Sequence, residues 1–172
     1  MYGDIDRTRV ISQTAAFVAL ITIGAWISLP FVPVPITLQT LFVLLAGAVM
    51  RRRGIYPIIA YLGLGIMNAP VFHNGLGGIG VLLGPTGGYL AGFLPAALII
   101  GLAFESESGY LWILGISAGT GAIYMCGIAW LVHSTGLALP AAITVGLLPF
   151  LPGDLLKAAA VYLMARRLRA GT

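Results

Sequence analysis

The chain of 172 residues is 59% hydrophobic and only 8% charged, with a mean hydropathy of +1.02; a water-soluble domain this short has too little interior for so much apolar surface, so its solvent is lipid. The lone Cys126 excludes an intramolecular disulfide framework, and no Cys/His cluster with familiar ligand spacing offers a metal site. The formal charge of +4 does not point to nucleic acid, because the basic residues sit in short clusters at the ends of apolar runs, where membrane topology accounts for them.

In chain order, apolar segments cover residues 10–29, 36–50, 55–69, 88–104, 110–133 and roughly 141–165. The expectation is an all-α integral membrane protein with six transmembrane helices and a glycine-rich outer loop between helices three and four. Arg7 and Arg9 precede the first run in the order of a secretion signal. That run is about 20 residues long, too long for an h-region and without a convincing small-residue cleavage site, and reads as a true span. The second and third runs are short, each covering about 22 Å as a helix, so a re-entrant hairpin is the alternative. Such a hairpin would bury Arg51, Arg52 and Arg53 at roughly 2.5–3.5 kcal/mol each, which favours two crossings.

Six crossings place Arg7 and Arg9, the Arg51 to Arg53 turn, the Glu105 to Gly109 turn and Arg166, Arg167 and Arg169 on one face. The positive-inside rule makes that face cytoplasmic and puts both termini inside a multi-pass protein of the cell membrane. Connections 30–35, 70–87 and 134–140 then face outward. No linker, hydrophilic domain or long repeat interrupts residues 1–172, which read as a single transmembrane domain. Small residues recur four apart at Ala15 and Ala19 and at Gly84, Gly88 and Gly92. Such stripes serve close packing within one bundle or docking of another subunit.

Of nine Lys or Arg and five Asp or Glu residues, all but Asp154 and Lys157 lie at span ends or in turns on the cytoplasmic side. Counting back from Arg166, Asp154 lies about 18 Å and Lys157 about 13 Å above the cytoplasmic boundary. Their i, i+3 spacing puts them on one helix face. Two roles fit. Pro149, Pro152 and Gly153 break the helix just before Asp154, so its carboxylate has the position to cap the renewed helix, with Lys157 as neutraliser. Alternatively the pair lines a protein-walled cavity, as ionisable residues inside membranes usually do, and suits a neutral ligand carrying both N–H and C=O groups.

The connection from Pro70 to Tyr89 is too apolar for a solvated tether and too glycine-rich for a stable helix, and reads as a folded lid with Asn74, Thr86 and Tyr89 as its polar side chains. Two other patterns carry no chemistry. Gly75-x-Gly77-x-x-Gly80 lacks the βαβ context of a dinucleotide site. Gly115-Ile-Ser117-Ala-Gly119 has the letters of a nucleophile elbow and raises an intramembrane serine protease, but His133 is about 24 Å along the same helix and His73 belongs to the opposite face. Both histidines read as interfacial polar residues. No Gly-x-x-x-x-Gly-Lys-Ser/Thr stretch is present, so the chain offers no standard P-loop for ATP and any uphill transport needs another energy source.

Three stretches together resemble the BioY family, the biotin-specific S components of energy-coupling factor (ECF) transporters: Pro33-Val-Pro-Ile-Thr37-Leu-Gln39-Thr, the run from Gly77 through Gly84, Thr86, Tyr89 and Gly92 to Phe93, and Leu148-Pro-Phe150-Leu-Pro-Gly-Asp154-Leu-Leu-Lys157. The resemblance covers nearly the whole chain. It implies a non-enzymatic substrate-binding domain that captures biotin from outside, needs no cofactor, and associates with a transmembrane coupling subunit and cytosolic ATPases. It carries the ring-binding role onto Asp154 and Lys157, and the coupling-subunit docking role onto Ala15 and Ala19. Asn74 is a further expected ureido contact, Tyr89 and Phe93 are expected to pack on the ligand, and Thr37 and Gln39 meet either the ring or the valerate tail. Gly84 and Thr86 belong to the expected site through the glycine-rich motif. The outer loops hold no Arg or Lys for the ligand carboxylate, which leaves backbone amides of that motif or water. An S component for another vitamin keeps the same fold.

Overall fold

The computed structural model describes the backbone of residues 2–170 and the side chains of residues 5–169. Helix α1 spans Tyr2–Trp26, and a two-residue antiparallel pair, β1 (Ser28–Leu29) with β2 (Ile36–Thr37), closes the loop that follows, Ser28 opposite Thr37 and Leu29 opposite Ile36. Helix α2 (Gln39–Met50) leads through a 3-10 turn (Arg51–Gly54) into α3 (Ile55–Ile66). The lid contains a 3-10 turn (His73–Gly75) and the short α4 (Ile79–Leu83), and α5 (Gly87–Ala103), α6 (Gly109–Thr135), α7 (Leu139–Gly146) and α8 (Leu151–Ala170) complete the chain.

The expectation of six transmembrane helices is not met. Among the described residues, two helices, Ile5–Trp26 and Gly109–Thr135, are long and apolar enough to cross a membrane. The pair Leu139–Gly146 and Leu151–Arg169, bent by 54° at its break, raises the number to three if it counts as one span. The second and third apolar runs fall short because hydropathy does not register backbone conformation. Residues 36–37 are strand, and Asn68 turns left-handed at φ 69° just past α3. What remains are two helices of 12 residues, about 18 Å each, and α5 with 17 residues. The fold is otherwise all-α, as expected, apart from the β1–β2 pair.

Helices α5 and α6 form the best-packed pair, with α2 against α5 on the other side. Close approach is set at Gly88, where a Cβ would lie 2.2 Å from Trp130 Cβ. Gly88 and Gly92 thus serve packing of α5 against α6 inside the bundle, whereas a Cβ at Gly84 would meet only the carbonyls of Gly80 and Val81 in its own segment. Ala15 and Ala19, by contrast, are exposed on α1. Helix α8 leans mainly on α2, which brings the start of α2 over the first turn of α8.

The arginine-bearing ends gather at one end of the bundle. Arg52 Nε lies 2.6 Å from Glu105 Oε1, Arg169 donates to the carbonyls of Phe104 and Ser106 and covers the Trp112 ring at 4.5 Å, and a cleft between α1 and the 51–54 turn is lined by Asp6, Arg9 and Arg51 to Arg53.

At the opposite end the lid is seated by specific contacts. The fully buried Phe72 ring occupies the notch left by Gly65, where a Cβ would lie 2.0 Å from Phe72 Cζ, and meets Tyr61 edge-on at 5.5 Å. Trp26 Nε1 donates to Pro70 O (3.0 Å), and Ser28 Oγ donates to Asn74 Oδ1 (2.7 Å).

Candidate functional site

Helix α8 begins at Leu151, so Asp154 falls in its first turn, and the Asp154 backbone N–H already donates to Phe150 O (2.9 Å). The carboxylate does not cap the helix. Its partners are side chains: Oδ1 accepts from Lys157 Nζ (2.7 Å) and Thr40 Oγ1 (3.3 Å), and Oδ2 accepts from Tyr124 Oη (2.5 Å). A carboxylate offers about four lone-pair sites, so Asp154 retains one for a further donor. Lys157 has none to spare, since its three N–H groups go to Asp154 Oδ1, Thr37 O (2.7 Å) and Thr40 Oγ1 (2.8 Å). Both side chains are about nine-tenths buried. An ion pair so removed from water holds because its two charges meet each other and nearly every remaining hydrogen-bonding position has a partner.

This cluster forms part of the wall of a cavity with an empty volume of ≈ 530 Å³, open mouth included. Thr37, Gln39, Thr86, Tyr89, Phe93, Asp154 and Lys157, seven residues singled out from the sequence, line it together. Tyr89 is held by its hydroxyl, which donates to Gly146 O (2.8 Å), and stacks on Phe150 with ring centroids 6.5 Å apart. Gln39 donates from Nε2 to Tyr61 Oη (2.6 Å).

Two expected residues lie elsewhere. Asn74, left-handed at φ 56°, is exposed and bonded to Ser28, and Gly84 ends α4 with its carbonyl accepting from Trp130 Nε1 (2.9 Å). Neither is among the residues that line the cavity. Ser117 is exposed on α6 and its side chain makes no hydrogen bond among the described residues.

Sequence reasoning missed Thr40, Tyr124 and Phe150 as wall residues, and read His73 only as interfacial although it reaches the mouth. Half-burial holds the His73 imidazole below its ordinary pKa of 6.5, so the neutral ring is favoured there. The signals were weak: Thr40 follows Thr37 by three residues, and Tyr124 is one of two tyrosines in a largely apolar helix.

A helical membrane protein in which a buried ion pair forms part of the wall of an open-mouthed cavity, beside the seated 70–87 segment, offers a place for a small polar molecule. The chain belongs to the BioY family, whose pattern it matches over residues 3–172. It is 43% identical over 166 residues to the biotin transporter BioY of Thermotoga maritima, covering 94% of this chain and 96% of that protein. It is 41% identical over 167 residues to the probable biotin transporter BioY of Pyrococcus horikoshii, covering 96% and 99%. A crystal structure of the S-component for biotin from an ECF-type ABC transporter superposes with a TM-score of 0.86 at 28% identity, covering 96% of this chain and 93% of that one.

Proposed function

We propose that this chain captures biotin and supports its uptake across the cytoplasmic membrane as the S component of an ECF-type transporter. It is a transport subunit, not an enzyme. The observation that carries the reading is the buried Asp154–Lys157 pair, which retains one unused acceptor position on a cavity wall. A cyclic urea supplies the matching donor: one ureido N–H goes to Asp154, and the ureido oxygen replaces one of the oxygens now held by Lys157. Tyr89 and Phe93 offer apolar faces to the thioether ring, and the valerate tail runs toward His73 and Thr37 at the mouth.

In this reading Ala15 and Ala19, small and exposed on α1, dock the transmembrane coupling subunit, which links the chain to cytosolic ATPases. The arginine-rich end faces the cytoplasm with both chain termini, in accord with the positive-inside rule, and the lid faces out. Asn74 and Gly84 act through the lid and do not touch the ligand. The exposure of Ser117, without a base beside it, weighs against the protease reading.

Equilibrium binding of biotin and of other vitamins to the purified wild type and to Asp154→Asn tests the assignment. Wild type should bind biotin in preference to the others, and the substitution should weaken binding by at least about tenfold. A wild type indifferent to biotin ends it, and preference for another vitamin keeps the fold but changes the cargo.

A further inference from the structure

Several of the polar groups around the buried ion pair are already committed as donors. Lys157 has spent its three N–H groups, Tyr124 donates to Asp154, and Tyr89 donates to Gly146 O. Gln39, 5% exposed, is a further buried polar group of the wall, and an amide presents either a donor or an acceptor depending on which way it is turned. The chain that fixes its direction starts outside the cavity. Val71 O is a backbone carbonyl and only accepts, and Tyr61 Oη lies 3.0 Å from it. Tyr61 is fully buried and has one hydroxyl proton, which this carbonyl claims. The phenol oxygen can then only accept from Gln39, 2.6 Å away, so the atom facing it must be Nε2 and the atom left for the cavity must be Oε1. The opposite orientation would confront two oxygens over one proton and leave the Val71 carbonyl buried without a partner.

We infer that Tyr61, which does not line the cavity, is a positioning residue that fixes Gln39 as a hydrogen-bond acceptor, so that the site selects for a ligand with two N–H donors, one meeting Asp154 and the other Gln39. The inference rests on the biotin reading and deepens it: Gln39 addresses the ureido ring and not the carboxylate tail, because two acceptors do not pair. The same phenol is bonded to Val71 at the root of the lid, so the orientation of Gln39 is set only when that root is seated.

The test uses the purified full-length protein with biotin and two analogues in which one or the other ring N–H is replaced by CH2, a change of nearly constant shape. Wild type should bind each analogue at least about tenfold more weakly than biotin. Tyr61→Phe keeps the ring against Phe72 and frees the Gln39 amide. Its ratio of analogue to biotin affinity should rise toward one for a single analogue, with the other, facing Asp154, still rejected. Gln39→Ala, which leaves the Tyr61–Val71 bond intact, should lose the same discrimination and covers the case in which Tyr61→Phe does not fold. Equal weakening of all three ligands in either variant makes Tyr61 a purely structural residue and overturns the inference, as does a wild type that accepts both analogues as well as biotin. A wild type that fails to bind biotin at all overturns the biotin reading and this inference with it.

Discussion

Removing the ammonium from the ion pair separates what holds the fold from what holds the ligand. Lys157→Met keeps most of the side-chain volume but deletes three hydrogen bonds, to Asp154 Oδ1 (2.7 Å), Thr37 O (2.7 Å) and Thr40 Oγ1 (2.8 Å). Asp154 keeps Thr40 and Tyr124 as donors and loses its only counter-charge within salt-bridge distance among the described residues, in surroundings where nine-tenths of its surface is covered. Breaking a buried pair on one side costs about 3–5 kcal/mol, because the remaining charge has neither water nor a partner. The double variant Asp154→Asn with Lys157→Met carries no charge at the site, and the introduced amide still accepts from Thr40 or Tyr124. It should recover at least about 2 kcal/mol of the loss. Unfolding in mixed detergent micelles, followed by circular dichroism, reads stability. Adding biotin at about 100 times its dissociation constant reads function, since a binding-competent fold then gains about 2.7 kcal/mol. Wild type should show that gain, and neither the single nor the double variant should. The account is refuted if the double variant is as unstable as the single one, or if Lys157→Met keeps the full stabilisation by biotin.

Three further outcomes follow from other parts of the structure. Gly65→Ala puts a Cβ into the space of the Phe72 ring, and should expose the 70–87 segment to limited proteolysis and weaken biotin binding, with Phe72→Leu partly restoring both. His73 is held below 6.5 by burial, so its contribution to lid seating is complete above about pH 6.5 and is lost as the pH falls through the lower folded-state value; proteolytic protection of the lid should decline over that window and become pH-independent in His73→Gln. Arg51 is a non-glycine residue at φ 56° and ψ −136°, so Arg51→Gly should raise stability to denaturant by about 1 kcal/mol without altering biotin affinity.

The parts of this site that were legible in the sequence are those that carry a cost on their own. A carboxylate and an ammonium inside an apolar segment are expensive wherever they end up, so Asp154 and Lys157 announce themselves without knowledge of any neighbour. Thr40, Tyr61 and Tyr124 cost little in an apolar helix, and their importance lies in partners 114, 10 and 30 residues away. Nothing in the local pattern records such pairings. The same limit explains the glycine-rich lid: Asn74 and Gly84 share the composition of a ligand loop, but their polar atoms are committed to Ser28 and Trp130. It also explains the span count. Mean hydropathy treats residues 36–50 and 55–69 as continuous apolar runs, whereas the backbone divides them among strand, 12-residue helices and a left-handed turn. Charge, then, can be placed from sequence because its penalty is one-body. The direction of a hydrogen bond is a property of a chain of groups, and at Gln39 that chain ends on the carbonyl of Val71, a backbone atom that residue identity does not encode.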